Sequence, residues 1–149
     1  MIHTLIVDNE AIAKQMLDVQ IPSYQVEAEL IGFYDIPPLK DTVETLMASN
    51  ETFKGYYVEG ELTAFISYID EGQLIDICRL VVHPDHFRKG IAKKLVAHII
   101  DDIAKNKKVI VSTGAKNTPA KQLYKQCGFQ EMKEIEVAPH MFITSFERK

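Results

Sequence analysis

Alternating apolar and polar residues predict a strand at the start of the chain, over residues 3–7. Asp8 or Asn9 follows as the N-cap of a helix that is predicted to run through Asp18. Residues 21–38 are predicted to be irregular, because prolines and a glycine interrupt the pattern there: Pro22, Gly32, Pro37 and Pro38. A helical stripe returns within residues 38–49, at positions three or four apart: Leu39, Val43, Leu46 and Met47.

Three strand patterns come next, with no helical pattern between them. Residues 53–58 and 62–69 flank a turn at Glu59-Gly60 and are typical of a hairpin. A second turn at Glu71-Gly72 leads into LIDICRLVV, residues 74–82, which is long enough for a central strand. Strict alternation along this strand predicts that one face carries four side chains: Asp76, Cys78, Leu80 and Val82.

The second half of the chain alternates between helical and strand patterns. An amphipathic helix is predicted to reach about Ala104, from apolar residues one helical turn apart: Ile91, Leu95, Ile99 and Ile103. Residues 108–113 form an apolar run that suits a covered parallel strand. Thr118 is predicted to be the N-cap and Pro119 the first residue of a helix that Gly128 ends, with Ala120, Leu123, Tyr124 and Cys127 along it. Strands over residues 129–137 and 140–146 complete a mixed α/β domain whose central βαβ unit spans residues 74–113.

Length and composition predict one domain, residues 1–149, with a sizeable core. No apolar run approaches the roughly 20 residues of a membrane span, and the N-terminus lacks the regions of a signal peptide. We therefore expect a cytoplasmic protein that does not enter a membrane. Cys78 and Cys127 are expected to be reduced core thiols.

Charge is divided unevenly between the two halves. Residues 1–75 contain 3 Lys and Arg against 13 Asp and Glu, whereas residues 76–149 contain 14 against 8. This division suits a protein that handles a cation with one half and an anion with the other, and it equally suits a solvated surface. The net charge of −4 argues against general nucleic-acid binding.

The stretch HPDHFRKGIAKKLV, residues 83–96, carries the clearest candidate chemistry. It places Arg88, Lys89 and Gly90 between an apolar strand and an amphipathic helix. A helix N-terminus exposes N–H groups that lack intrahelical partners, and a glycine lets an anion approach them. This pattern favours an anion site over a plain loop.

Other ligand sites have less support in the sequence. The chain contains neither GxxxxGK[ST] nor GxGxxG, so a P-loop is excluded and a dinucleotide fold is unsupported. The spacing of His83 and His86 could suit a metal, but Pro84 stands between them and no third ligand is near in sequence. We expect turn histidines and no metal.

Two segments together resemble the GNAT superfamily of N-acetyltransferases. RLVVHPDHFRKGIAKKLV is similar to the family's acetyl-CoA-binding segment, LxVxP followed by [RQ]xxGx[GA], through Leu80, Val82, Pro84, Gly90 and Ala92. Phe87 departs from that segment, because the family usually has Arg or Gln there. NTPAKQLYKQCGFQEMKE resembles the family's NxxAxx[LF]YxxxGF segment, through Asn117, Ala120, Leu123, Tyr124, Gly128 and Phe129.

The resemblance covers residues 74–136 and implies both a fold and an activity. The implied fold is one GNAT domain, with a mostly antiparallel sheet of six to seven strands, a parallel βαβ core unit and about four helices. The implied reaction is direct transfer of the acetyl group of acetyl-CoA to a primary amine of a small molecule, peptide or protein. Many members of the family form dimers, so a homodimer is a further expectation.

The resemblance also implies which residues hold acetyl-CoA. The backbone of Leu80, Val81 and Val82 pairs with the pantetheine arm, and the Val82 N–H polarises the thioester carbonyl. The pyrophosphate lies among residues of the basic turn and the first helical turn: Phe87, Arg88, Lys89, Gly90, Ile91, Ala92 and Lys93. Asn117 bonds the pantetheine, with Ala120 and Lys121 nearby.

Proton transfer needs an acid for the leaving thiolate and a base for the amine, which is protonated at neutral pH. Tyr124 is the candidate acid, because the family places a tyrosine here. Asp76 is the candidate base, acting through a water, and it is equally well explained as an ordinary polar strand residue. An acyl-enzyme on Cys78 has little support, since no histidine is placed to activate it.

The acceptor pocket is predicted to draw on residues 21–38, whose acidic and aromatic side chains suit an amine: Tyr24, Glu27, Tyr34 and Asp35. A solvated loop explains the same residues equally well. Two other functions stay open at this point. One is a regulatory module that binds acyl-CoA without turnover, and the other is a nucleotide- or sulfate-binding domain unrelated to CoA.

Overall fold

The computed structural model of the chain describes residues 2–149. A seven-stranded sheet runs through the molecule in the order β1-β2-β3-β4-β5-β7-β6. Its strands are β1 Ile2–Leu5, β2 Thr52–Val58, β3 Glu61–Asp70, β4 Leu74–Val82, β5 Lys108–Gly114, β6 Gln130–Ala138 and β7 Met141–Arg148. Neighbouring strands are antiparallel except β4 and β5, which are parallel.

Helices cover both faces of the sheet. The α-helices are α1 Glu10–Ile31, α2 Val43–Met47, α3 Ile91–His98 and α4 Thr118–Gln126. Short 3₁₀ turns span Pro37–Lys40 and Pro84–His86, and α3 continues as a π-helical segment, Ile99–Ala104. No helix in residues 2–149 has the length and apolar character to cross a membrane.

Two apolar cores lie on opposite faces, because side chains alternate across each strand. In β3, Phe65 packs into the core beneath α1 and α2, whereas Ala64 and Ile66 pack into the core beneath α3 and α4. The predicted mixed α/β fold, with its parallel βαβ unit at β4-α3-β5, is confirmed.

The prediction that residues 21–38 are irregular is wrong up to Ile31. Helix α1 passes through Pro22 without a break and ends at Gly32, whose φ of 72° is the left-handed conformation that glycine adopts readily. Buried residues on both sides of Pro22 hold the helix against the sheet: Val19, Gln20, Tyr24, Ala28 and Ile31. Burial of this face outweighs the roughly 3 kcal/mol that an interior proline costs a helix.

Candidate active site

Strands β4 and β5 separate after a short stretch of pairing. Their register covers only three pairs of residues and ends at Asp76 and Ile110. Beyond that point β4 continues to pair with β3 as far as Val82, and β5 pairs with β7 as far as Gly114. The sheet therefore opens into a gap between the C-terminal ends of β4 and β5.

The backbone of β4 presents polar groups to this gap. The His83 N–H donates to the Thr63 carbonyl on β3 at 2.9 Å. Since backbone groups of successive residues point alternately to the two sides of an antiparallel strand, those of Leu80 and Val82 point away from β3. The N–H and C=O groups predicted to contact pantetheine thus face the open side of the strand.

A β-bulge at Cys78 reverses the alternation of side chains along β4. Ile77 pairs with Tyr68 and Arg79 pairs with Ser67, so Cys78 has no residue opposite it on β3. Leu80 and Val82 consequently pack with Ile77 in the core beneath α3 and α4. Asp76 lies on the other face, so the prediction that it shares a face with Leu80 and Val82 is wrong.

Cys78 is exposed, which corrects its assignment to the core, while Cys127 is partly buried. The pKa of the Cys78 thiol is raised to about 12, mainly by desolvation and to a smaller extent by the negative charges of Glu51 and Asp76. A thiol with this pKa is protonated at neutral pH and is a poor nucleophile. Desolvation also raises the pKa of Asp76, with smaller contributions from Glu71 and Glu51.

The basic turn after β4 leaves the N-terminus of α3 uncapped by any side chain. Gly90 is the N-cap residue, with a φ of 76°, and Arg88 has a φ of 65°. The first backbone hydrogen bond at this end runs from the Lys94 N–H to the Gly90 carbonyl at 3.1 Å. The N–H groups of Ile91, Ala92 and Lys93 precede it and have no intrahelical acceptor.

Phe87, Arg88 and Lys89 are exposed around this helix start. The structure gives no physical reason for an exposed phenylalanine at position 87. His83 Nδ1 accepts a hydrogen bond from the Asp85 N–H at 3.1 Å. Among residues 2–149, no group of three or more His, Cys, Asp or Glu side chains could hold a metal ion.

Asn117 is the N-cap residue of α4, so the prediction of Thr118 at this position is wrong. Its Oδ1 accepts from the Ala120 N–H at 3.2 Å. Its Nδ2 donates to Glu27 Oε1 at 2.9 Å and approaches Thr113 Oγ1 at 3.4 Å. Asparagine is strongly favoured at an N-cap because its side chain satisfies a free N–H of the first turn. The same side chain here joins α4, β5 and α1.

Tyr124 lies on α4, seven residues after this N-cap, and its side chain is buried. Its ring packs against Phe129 and Phe146, with ring centroids 5.6 Å apart in both cases. Burial raises the pKa of the Tyr124 phenol well above its ordinary value, and the Glu27 carboxylate adds to the shift. The phenol is therefore protonated at neutral pH, which is the state that an acid requires.

Tyr24 and Glu27 reach the same region from α1. Burial raises the pKa of Tyr24, and the Glu27 carboxylate raises it further, whereas Arg79 opposes the shift. Burial also raises the pKa of Glu27, and the hydrogen bond from Asn117 opposes it. Tyr24 and Glu27 are three residues apart, so they are neighbours on one face of a helix. This pairing could have been predicted only if the sequence had indicated a helix through Pro22.

Tyr34 and Asp35 lie after the end of α1 and are exposed. Asp35 forms a salt bridge with Lys40, with both side chains largely in solvent. Lys121 is directed to the Ala115 carbonyl, at 3.3 Å from its Nζ. Of the four residues predicted for the acceptor pocket, Tyr24 and Glu27 are close enough to Tyr124 to interact with it electrostatically, whereas Tyr34 and Asp35 are exposed.

Sequence analysis missed a buried charged network on the α1 side of β4. The Arg79 guanidinium lies 3.4 Å from Asp41 and 3.3 Å from Glu51. The fully buried Gln20 donates to Asp41 Oδ2 at 2.7 Å. No local sequence signal marks this network, because its members lie far apart in the chain, on α1, on β4 and in the two connections before α2 and before β2. It fixes the segment between α1 and β2 against the sheet.

Comparison with known proteins agrees with this architecture. The sequence model of the family described as "Acetyltransferase (GNAT) family" matches residues 13–129. The UPF0157 protein YqkA of Bacillus subtilis (strain 168) is 44% identical over 135 residues, which are 91% of this chain and 39% of that protein. The chain thus spans about two fifths of the length of this relative.

Solved structures share the fold at low sequence identity. The PaiA N-acetyltransferase from Thermoplasma acidophilum, in complex with coenzyme A, has a TM-score of 0.77 at 19% identity, over 100% of this chain and 98% of that one. The ribosomal-protein-S18-alanine N-acetyltransferase from Escherichia coli has a TM-score of 0.77 at 16% identity, over 99% and 92%. YncA from Salmonella typhimurium, with acetyl-CoA, has a TM-score of 0.74 at 14% identity, over 100% and 92%.

Proposed function

Because the chain belongs to the GNAT family of acetyltransferases, we propose that it transfers the acetyl group of acetyl-CoA directly to a primary amine. The observation that carries the proposal is the gap between β4 and β5, together with the Glu27–Asn117 hydrogen bond just after β5, at the start of the helix that carries Tyr124. A cytoplasmic location and a homodimer stay predictions from the sequence.

The donor occupies the gap and the turn that follows β4. The free backbone groups of Leu80 and Val82 pair with the pantetheine amides in the manner of an added strand. The pyrophosphate lies at the start of α3, where free N–H groups and the partial positive charge of the helix favour an anion. Arg88, Lys89 and Lys93 add positive charge at the same place.

The chemistry follows from groups that line the gap. The Val82 N–H stabilises the oxygen of the thioester carbonyl as negative charge develops on it. Tyr124 enters the reaction protonated and donates its proton to the departing thiolate as negative charge develops on the sulfur. No acyl-enzyme is required, since the Cys78 thiol is protonated and the amine attacks the acetyl carbon itself.

The acceptor is a cationic amine in this proposal. On the α1 side of the gap, the Arg79 guanidinium lies between the carboxylates of Asp41 and Glu51. Glu27 adds a third carboxylate nearby, so the negative charges exceed the positive charge of Arg79. An ammonium group is attracted to such a surface, whereas an acidic acceptor is repelled. The proposal that Tyr34 and Asp35 also contact the acceptor has less support, since both are exposed beyond the end of α1.

Two measurements on the whole chain test the function. Coenzyme A should raise the melting temperature, and thiol should be released from acetyl-CoA in the presence of a polyamine or a lysine-like amine but little with an acidic one. Stabilisation by coenzyme A without thiol release from any amine would instead indicate a binding module. Absence of both effects would overturn the proposal entirely.

A further inference from the structure

The side chain of Asn117 has no donor left for a ligand. Both of its amide hydrogens are directed to protein groups, Glu27 Oε1 at 2.9 Å and Thr113 Oγ1 at 3.4 Å. Its Oδ1 already accepts from the Ala120 N–H. A ligand carbonyl could bond this amide only by displacing one of those partners. The contacts therefore indicate that the Asn117 amide hydrogens hold Glu27 and Thr113, while the second lone pair of Oδ1 stays available to a pantetheine N–H.

Glu27 reaches Asn117 past the end of β5. Helix α1 lies close to this end, because a Cβ on Gly114 would be only 3.0 Å from Ile31 Cγ2. Glu27 is one helical turn before Ile31 on the same helix, and its partner Asn117 is three residues after the last residue of β5. It meets the N-terminus of α4, which belongs to the opposite face of the sheet.

Two buried phenols lie on the elements that this contact joins. Tyr24 is three residues before Glu27 on α1, and Tyr124 is on α4, the helix whose N-cap Asn117 bonds Glu27. The charge of Glu27 raises the pKa values of both phenols. The Glu27–Asn117 hydrogen bond therefore links a carboxylate on one layer to the helix of the other layer that carries a phenol. A carboxylate accepts a proton and a protonated phenol gives one, which are the two transfers that amine acetylation requires.

We propose that Glu27 accepts the proton of the amine and that Asn117 is the positioning residue that holds Glu27 toward the gap. This inference rests on the proposed function and assigns its acid and base to opposite layers of the fold. It differs from the prediction from sequence alone, in which Asp76 was the candidate base.

The protons balance as follows. The ammonium group gives one proton to the Glu27 carboxylate, and the resulting amine forms the C–N bond at the acetyl carbon. The C–S bond breaks as the tetrahedral intermediate collapses, and Tyr124 gives its proton to the sulfur. The second proton of the nitrogen restores the Tyr124 phenol, and Glu27 releases its proton to solvent, so the products are the amide, the thiol and one proton.

The surroundings of Glu27 suit a base. Burial raises its pKa toward the pH at which an enzyme works, while the Asn117 hydrogen bond keeps the carboxylate accessible as an anion. Tyr24 and Tyr124 are the titratable groups whose pKa values its charge raises, and the charges of Arg79 and Glu51 also act on the pKa of Tyr24. Asp76, by contrast, pairs with Ile69 on β3 and is the last residue of β4 that pairs with β5, opposite Ile110.

Matched variants separate the two carboxylates. Glu27→Gln keeps an oxygen for the Asn117 hydrogen bond and removes the base, so kcat should fall about 100-fold, the low end for loss of general base catalysis. Asp76→Asn should change kcat by less than about threefold, since Asp76 has no part in this step. The stabilisation by coenzyme A should be unchanged in both variants.

A second pair of variants tests the positioning role through the pH profile. Asn117→Asp retains an oxygen that caps α4 and places a like charge against Glu27, which raises the pKa of Glu27. The acid limb of kcat should move to higher pH in Asn117→Asp, and by less in Asn117→Ser, which caps the helix without adding charge. A purely structural role of Asn117 would lower stability without moving this limb.

Different results would contradict the role of Glu27 and the proposed acetyltransferase function. If the wild-type chain releases no thiol with any amine, the proposed function fails. Only the assignment of Glu27 is overturned if three results occur together: the wild type is active, Glu27→Gln retains kcat within twofold of wild type, and Asp76→Asn loses the acid limb of the pH profile. An unmoved acid limb in Asn117→Asp would overturn the positioning role.

Discussion

At the level of single residues, burial determines which groups can take part in proton transfer. Tyr124 and Tyr24 are almost fully buried, and desolvation favours their neutral forms because a phenolate would lose its hydration. The same effect keeps the exposed but partly desolvated thiol of Cys78 protonated. Glu27 differs, since a hydrogen bond from Asn117 partly offsets the cost of its charge.

Replacement of Tyr124 by phenylalanine tests its role as the acid. The ring contacts with Phe129 and Phe146 would be retained, so the melting temperature should stay within a few degrees of wild type. Without the hydroxyl, kcat should fall about 100-fold while the KM for acetyl-CoA is unchanged. Steady-state kinetics and a thermal melt check this, and a kcat within twofold of wild type would exclude the acid role.

At the level of elements, two departures from regular patterning build the site. Helix α1 continues through Pro22 and so carries Tyr24 and Glu27 over the sheet. The bulge at Cys78 turns Leu80 and Val82 to one face of β4 and Arg79 to the other. Local propensity predicted neither feature, because a proline favours a helix end and a bulge has no distinct residue preference in this strand.

The close approach of α1 to the end of β5 predicts the effect of Gly114→Ala. The added methyl group would lie 3.0 Å from Ile31 Cγ2 and 3.3 Å from Ile31 Cδ1, so Ile31 has to shift by a few tenths of an ångström. Overpacking of this kind costs roughly 1–3 kcal/mol of unfolding free energy, and we expect the shift to weaken the hydrogen bond between Glu27 and Asn117. Denaturant unfolding should show the loss, and kcat should fall with it.

Gly72→Ala provides the matched control for Gly114→Ala. Gly72 has a φ of 88° in the β3–β4 turn, and a Cβ there would meet nothing within 4 Å. Alanine in this conformation costs about 1 kcal/mol by backbone strain alone, and this turn precedes β4, at the end of the sheet opposite to the gap. The control should lose stability and keep kcat, and equal losses of kcat in both variants would contradict the proposed contact.

At the level of the whole molecule, the charge division follows the two sides of the gap. The basic half supplies the turn at residues 83–90 and the start of α3, and the acidic half supplies α1 and the segment before β2. Each proposed substrate therefore meets the half of opposite charge. Charge counts alone could not distinguish this from a solvated surface, and the fold places the two halves on either side of one opening.

Ionic strength provides the test at this scale. Added salt screens charges that are farther apart than about 10 Å at 0.1 M, so the KM values for acetyl-CoA and for a cationic amine should both rise with salt. The KM for an uncharged acceptor amine should rise much less than that for a polyamine. Initial rates at increasing KCl concentration measure these changes, and a salt-independent KM for the polyamine would contradict electrostatic attraction by the acidic half.

The sequence by itself determined the fold class, the βαβ unit, the basic turn before α3 and the helix that carries Tyr124. These features follow from local periodicity, from glycine and proline positions and from contiguous motifs, all of which act over a few residues. Only the tertiary structure decided that α1 passes through Pro22, that Cys78 is the bulged residue and that Glu27 meets Asn117, 90 positions away in the chain. Those outcomes depend on burial against distant elements, which no short stretch of sequence contains.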